Sequence, residues 1–489
     1  MYMSIKDRNQ KAGIIMEALS VKEIAQATGG IILCGDENRL ITSVGTNSKN
    51  MEADSLFVPI VGERVDAHDF IEDAFRNGAA ACFTSRDTAP DKDKVYIRVA
   101  DTLKALQALG TYYRKKFQIP VIGITGSVGK TTTKEMVAAA LAVKYNVLKT
   151  EGNMNSQVGL PLMMLRINSS HEIAVIEMGI SEEGEMARLA EIAGPEAAVM
   201  TNIGVSHIAQ LKTRENIRRE KLNIINTFHK DSVLFINGND DLLAKLYKNG
   251  SMFSNDLDMC EITGTKYKDA RVCAFGTEEF CDYRAENIQT IDGETHFTLR
   301  KKTGETEEIA LKVLGMHNVS NALAALAVAE HFHIPVSVAG KGLYEYEPIA
   351  MRGQIKEANQ VKIIDDSYNA SPDSMKSGIH VLLELEGIKR RIAVLADVWE
   401  LGDISRQCHY EVGVYIAGQK IDEVITVGQE ARYIASGVQD NNQLITTHSF
   451  MKNEEAITYL KSILKPGDGI LVKGSRGMKT DEIVKAVSE

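Results

Sequence analysis

Seven residues from Thr125 to Thr131, Thr-Gly-Ser-Val-Gly-Lys-Thr, have the types and spacing to hold a chain of phosphates. Gly126 and Gly129 let the backbone turn with its N–H groups pointing inward, and a helix opening at Lys130-Thr131 brings its positive end to the same point. Lys130 can then reach the β and γ phosphates, and the Thr131 hydroxyl can hold Mg²⁺. The candidate ATP-binding stretch is Gly126, Ser127, Val128, Gly129, Lys130, Thr131 and Thr132. Longer loops of this kind carry a glycine where this chain has Ile124, so this is the shorter variant. A ligand-free strand-to-helix turn is the alternative, and the Lys-Thr pair argues against it.

Other residues gain a chemical reading from their position. Glu177 lies near the end of the apolar run Ile173-Ala-Val-Ile-Glu-Met-Gly179, where a nucleotide-binding sheet holds Mg²⁺; a strand-end acid capping the next helix is the plainer alternative. His207 follows a second apolar strand, Ala197–Met200, at the same sheet edge. Because ligands of open α/β sheets sit outside the carboxyl ends of the strands, His207 is a candidate ligand. Asn318 and Asn321 belong to an amide cluster placed just before an Ala-rich helix from Ala322 to His331, suited to a base or ribose or to capping that helix. Lys221, in the amphipathic run Arg214 to Ile225, reads as solvated. The loops Thr46–Lys49 and Asp66–Phe70 read as turns.

Apolar strand runs alternate with helical runs from Ile119 to about Gly342, the pattern of a parallel sheet covered on both faces. Ahead lies a small α/β unit, with a helix Val21–Thr28, strands Ile31–Leu33 and Ser55–Val61, and a helix Phe70–Asn77. The stretch Tyr344–Gln354 breaks the periodicity and reads as a linker. Strands at Val361–Ile364, Arg391–Leu395, Glu423–Val427 and Gly469–Val472 follow. The expected fold class is α/β in three domains: residues 1–115, a small α/β unit; 116–345, a central parallel-sheet P-loop domain; and 346–489, a Rossmann-like unit.

The composition sets limits. At 489 residues, 44% hydrophobic and 25% charged, the chain has the make-up of a multidomain globular protein. A net charge of -10 argues against nucleic acid, and no run is long and apolar enough for a membrane span. The polar start Met1–Lys11 lacks the apolar core of a signal peptide, so a cytoplasmic location is expected. Six cysteines (Cys34, Cys82, Cys260, Cys273, Cys281, Cys408) without a C-x-x-C pair argue against disulfides and structural zinc. No G-x-G-x-x-G follows the first strand of either large unit, which excludes a dinucleotide dehydrogenase.

Together with these stretches, Asp366-Ser-Tyr-Asn-Ala-Ser-Pro-Asp-Ser-Met375, Val394-Leu-Ala-Asp-Val-Trp-Glu-Leu-Gly402 with His409, and Lys473-Gly-Ser-Arg476 make the chain resemble a Mur ligase from about Leu19 to the C-terminus. The last three motifs are similar to the branch whose acceptor is a dipeptide. The resemblance implies an ATP-dependent ligase that activates UDP-N-acetylmuramoyl-tripeptide as an acyl phosphate and joins it to D-alanyl-D-alanine, in peptidoglycan precursor synthesis. It also implies ATP and Mg²⁺ as cofactors, small-molecule substrates and a monomer. Lys130 would stabilise the transferring phosphoryl group, while Thr131 and Glu177 would hold one Mg²⁺. His207 would serve a second, shared with Lys221 as its carbamate. Asn318 and Asn321 would contact adenine, and Arg352 and Asp366 would close the third domain over the ATP. Ser48, Lys49, Asp66, Asn155 and Ser156, with Tyr368 and Asn369, would hold the UDP-linked peptide and its acceptor. Asn223, Lys49, Ala67, Ser371 and Ala396 depart from the family pattern, and none removes a phosphate or metal group. The rival readings are a sibling ligase adding a single amino acid, a folylpolyglutamate synthase, and a non-catalytic nucleotide-binding paralogue. Contacts to ATP from two domains predict closure across the Pro348 linker.

Overall fold

Val121–Thr125, Ile173–Glu177, Ala197–Met200 and Val233–Asn237 are apolar at nearly every position, so both of their faces must be covered. In the computed structural model, which describes residues 13–86, 91, 93–248, 251–252 and 271–489, they form the parallel centre of a sheet with helices on both sides. The N-terminal residues Met1–Lys11 and Cys260 lie outside the described residues.

Val121–Thr125 is flanked by Ile173–Glu177 on one side and Ala197–Met200 on the other. The chain therefore reverses its direction of travel across the sheet at this strand, which opens a crevice at its carboxyl end. The phosphate loop begins in that crevice. Val147–Lys149 closes one edge of the sheet, and Arg271–Gly276 continues the parallel run past Val233–Asn237.

The central sheet is not parallel throughout. Beyond Arg271–Gly276 come Tyr283–Ile291, Glu294–Lys301 and Thr306–Leu311, the last two pairings antiparallel. Asp292 and Gly293, at φ 53° and 79°, make the tight turn between the first two, the Asp-Gly hairpin signal that the sequence carries in plain view. A second correction concerns the helix expected to start at Ala322, which runs from Met316 to His331. Burial of Val319 and Asn321 overrides the modest helix preference of the amides, so Asn318 and Asn321 sit in the helix rather than ahead of it.

The first domain is a six-stranded sheet that begins with Ile14–Ser20, a strand the sequence pattern did not single out, and its Ser55 strand ends at Phe57 rather than Val61. The third domain is a six-stranded sheet in which Gln354–Ala358 pairs antiparallel with Val361–Asp365 and the other strands, Asp468–Lys473, Arg390–Ala396, Glu423–Val427 and Thr446–Phe450, follow in parallel.

One hydrophobic core runs through the first two domains, from Leu19 and Phe83 to Ile176 and Leu234. The helix Thr102–Arg114 fastens them together. The buried Tyr113 hydroxyl accepts from the Glu17 N–H and donates to the Ile167 carbonyl, each at 2.8 Å. Arg114 bonds the carbonyls of Ala193, Phe117 and Ile119. The third domain has its own cores on the two faces of its sheet, and Val205 and Leu314 of the central domain reach into one of them.

Candidate active site

The loop conformation follows from its two glycines. Gly126 sits at φ 149° and Gly129 at φ 84°, and a Cβ on Gly126 would lie 1.9 Å from the Thr201 hydroxyl. Lys130 opens the helix Lys130–Ala142, and its Nζ turns back to donate to the Gly126 carbonyl at 2.9 Å. Lys221 Nζ donates to the same carbonyl at 3.0 Å.

Lys221 is 1% exposed, which corrects the solvated reading of its helix, Arg214–Leu222; Arg218 and Glu220 of that helix are buried too. Burial drives the Lys221 amine well below its ordinary pKa, the nearby Lys130 charge adds to this, and Glu220 opposes it. Lys130 is also lowered by burial, against the pull of Glu177 and helped by Arg352.

The front of the loop is held by a residue not singled out from the sequence. Asn202 Oδ1 accepts from the N–H groups of Ser127 at 3.1 Å and Val128 at 2.8 Å. Thr201 donates its hydroxyl to the Val128 carbonyl at 2.5 Å. Asn202 lies in the stretch that drew attention to His207, and only packing shows that its amide faces the loop.

Glu177 is 3% exposed at the end of its strand. Its Oε1 accepts from Asn155 Nδ2 at 2.7 Å, so Asn155 orients this carboxylate, while Oε2 is buried with no hydrogen-bond partner among the described residues. An orphaned carboxylate oxygen in a polar cleft fits a cation, and the Thr131 hydroxyl lines the same cleft. His207 also lines it, but its Nδ1 lies 2.7 Å from Glu400 Oε2 of the third domain, without the alignment of a hydrogen bond. That contact holds the Glu400 carboxyl below its ordinary range. Among the described residues, no three His, Cys, Asp or Glu side chains converge as a metal centre. A cation here would draw on Glu177, Thr131 and His207 with non-protein oxygens or a modified Lys221.

Across the loop, Thr133 donates to Asn321 Oδ1 at 2.9 Å, and Asn318 Nδ2 donates to the Leu314 carbonyl at 2.7 Å. Both amides line the cleft. The third domain supplies the opposite wall. Arg352 stacks its guanidinium 3.9 Å from the centre of the Tyr368 ring. Lys473, 3% exposed, pairs with Asp366 Oδ2 at 2.5 Å and donates to the Asn369 carbonyl at 3.0 Å. Lys473 stands in the Lys473–Arg476 motif, but the motif alone does not tie it to Asp366. The two walls enclose a cavity of about 640 Å³ whose lining includes Ser156 along with the loop and these third-domain residues.

Ser48, Lys49 and Asp66 lie outside that lining. Ser48 is buried, and its carbonyl accepts from Asn77 Nδ2 at 2.9 Å. Asp66 Oδ1 accepts from the His68 N–H at 3.0 Å and lies 2.6 Å from His68 Nδ1, and Oδ2 pairs with Arg86. Since His68 Nε2 accepts from the Ser85 N–H at 3.1 Å, the ring proton is on Nδ1 and faces Asp66.

Three family models match the chain: the Mur ligase family catalytic domain over residues 40–115, the Mur ligase middle domain over 124–329, and the Mur ligase glutamate ligase domain over 351–476. The chain is 39% identical over 473 residues to the UDP-N-acetylmuramoyl-tripeptide–D-alanyl-D-alanine ligase of Bacillus subtilis, covering 96% of this chain and 98% of that one. It is similar to the crystal structure of MurF from Acinetobacter baumannii, with a TM-score of 0.87 and 30% identity over 97% of this chain and 100% of that one. The MurF ligase of Thermotoga maritima in complex with ADP superposes with a TM-score of 0.77 at 28% identity, over 91% and 96% of the two chains.

Proposed function

The chain belongs to the Mur ligase family, and we propose from that premise that it is the ATP-dependent ligase that joins D-alanyl-D-alanine to UDP-N-acetylmuramoyl-tripeptide. The observation that carries this reading is the cleft itself. A phosphate loop with Lys130 faces Arg352 and the Lys473–Asp366 pair across a cavity of about 640 Å³, with a Glu177 oxygen in its wall that has no hydrogen-bond partner among the described residues.

The γ-phosphoryl group of ATP passes to the terminal carboxylate of the tripeptide, and ADP leaves. The amine of the dipeptide attacks the acyl phosphate carbonyl, loses a proton, and phosphate departs from the tetrahedral intermediate. The groups that meet are anionic, so the protein's task is to position them and offset their charge. Lys130 is placed to follow the transferring phosphoryl group. The N–H groups from Gly129 to Thr132 cradle the phosphates, with Ser127 and Val128 shaping the turn before them. Asn318 and Asn321 border the base, and Arg352 and Asp366 approach from the third domain.

Mg²⁺ supplies charge neutralisation when bound: Thr131 and Glu177 would hold one ion, and His207 with Lys221 as its carbamate would serve a second. The depressed pKa of Lys221 favours that modification, since the neutral amine is the form that combines with CO₂. In this reading Ser48, Lys49 and Asp66 hold the UDP-sugar end, Asn155 and Ser156 guide the peptide toward the loop, and Tyr368 and Asn369 face the acceptor. The setting is the cytoplasm, with the protein a monomer. Among the described residues no helix is long and apolar enough to cross a membrane.

The test is phosphate release from Mg²⁺-ATP with UDP-N-acetylmuramoyl-tripeptide, with and without D-alanyl-D-alanine, and the mass of the nucleotide product. Release that depends on the dipeptide, with a pentapeptide product, is expected. Activity with single amino acids only would move the chain to a sibling ligase, and silence with every acceptor would leave a non-catalytic paralogue.

A further inference from the structure

Residues 201–209, which follow the strand Ala197–Met200, face two ways. Toward the phosphate loop, Asn202 Oδ1 takes the N–H groups of Ser127 and Val128, the Gly204 N–H donates to the Ser127 hydroxyl at 2.9 Å, and the Ser206 hydroxyl donates to the Ser127 carbonyl at 3.3 Å. Toward the third domain, Val205 packs against its core and His207 meets Glu400. The Ala209 N–H donates to the Glu400 carbonyl at 3.4 Å. A Cβ on Gly402 would come within 3.2 Å of the Ala209 Cβ, and one on Gly204 within 2.7 Å of Asp373 Oδ2, so the two domains approach closely along the strip. His207 and Glu400, both non-glycine residues, have φ of 62° and 65° where they meet.

We propose that this strip couples docking of the third domain to the shape of the phosphate loop, and that Glu400 is a positioning residue for nucleotide binding although it does not line the nucleotide cleft. The physical reason is continuity. The partly buried N–H groups of Ser127 and Val128 need an acceptor, Asn202 is that acceptor, and the backbone that places Asn202 is the backbone on which the third domain sits. A shift of the docked strip must either move the loop or leave its amides unsatisfied. The inference rests on the reading of this loop as the ATP site.

The experiment is calorimetric titration of ADP into the full-length protein, with EDTA present so that no metal at His207 contributes. The variants are Glu400→Ala, Asn202→Ala, which removes the acceptor of the loop amides, and the double variant, with melting temperatures measured alongside. Glu400→Ala is expected to weaken ADP binding by about fivefold or more. The double variant is expected to bind ADP within about twofold of the weaker single variant, because both changes cut one path. Wild-type affinity in Glu400→Ala overturns the proposal, even with a lowered melting temperature. So does a double variant whose loss is the product of the two single losses. If Glu400→Ala fails to fold, Ala209→Leu, which pushes against Gly402, carries the same expectations. Failure of the wild-type protein to bind ADP with or without Mg²⁺ would instead overturn the ATP-site reading.

Discussion

At the scale of single residues, the site combines groups whose burial is costly unless something else compensates for it. Glu177 is the plainest case. Its Oε2 has no hydrogen-bond partner among the described residues, a desolvation cost offset by the attraction of Lys130 and by any cation bound in the cleft. Glu177→Gln keeps a carbonyl oxygen for Asn155 and removes the charge. We expect a melting temperature at or above that of the wild type in metal-free buffer, and a fall in phosphate release of about 100-fold or more. In the proposed mechanism Lys130→Met removes the cation that would follow the transferring phosphoryl group, and it should also cost about 100-fold or more in turnover, measured as phosphate release at saturating ATP. Asp66 is held down to about 2 chiefly by the His68 N–H, with the His68 ring and Arg86 adding to it. Its folded pKa lies below the unfolded value of roughly 4, so its contribution is present above that pH and is lost as the pH falls toward 2. The carboxylate is a third exposed, which keeps the contribution below about 1 kcal/mol. Melting curves of wild type and Asp66→Asn should therefore differ at pH 6 and converge between about pH 4 and pH 2.

At the scale of elements, the phosphate loop was legible in the sequence because its chemistry is local. Glycines, a lysine and a threonine at fixed spacing between a strand and a helix suffice to specify the turn. The loop still depends on a neighbour. Gly126→Ala would drive a Cβ to 1.9 Å from the Thr201 hydroxyl at a φ that side chains disfavour, and should weaken ADP binding by more than tenfold. The residues hardest to read were those whose partners lie on other elements. Lys221 looks like one charge among many on an amphipathic helix, and only packing against the Gly126 carbonyl makes it a buried amine. The early start of the helix Met316–His331 likewise reflects tertiary burial overriding local preference. The Asp292-Gly293 hairpin is an exception, since its signal is local and needs no distant partner.

At the scale of the molecule, the domains are joined unequally. The first two share one core and are bolted by Tyr113, whose hydroxyl serves Glu17 and Ile167. Tyr113→Phe leaves both partners unsatisfied and should cost about 1–3 kcal/mol in denaturant unfolding. The third domain meets the others across a polar cleft, with Val205 and Leu314 as apolar footholds. Motion is expected to concentrate there. X-ray scattering should show a more extended particle without ligands than with nucleotide and UDP-linked substrate. Equal dimensions in both states would mean that the domains do not close on substrate.

The sequence alone determined the α/β class, three domains, the phosphate loop and the resemblance to Mur ligases, because these rest on periodicity and short motifs whose physics is complete within a few residues. The tertiary structure decided the rest. It tied Asn202 to the loop amides, paired Lys473 with Asp366, turned His207 toward Glu400, merged the first two cores and left Glu177 Oε2 without a hydrogen-bond partner among the described residues. Each of these depends on which side chains from distant positions share one dry space, and spacing along the chain does not carry that information.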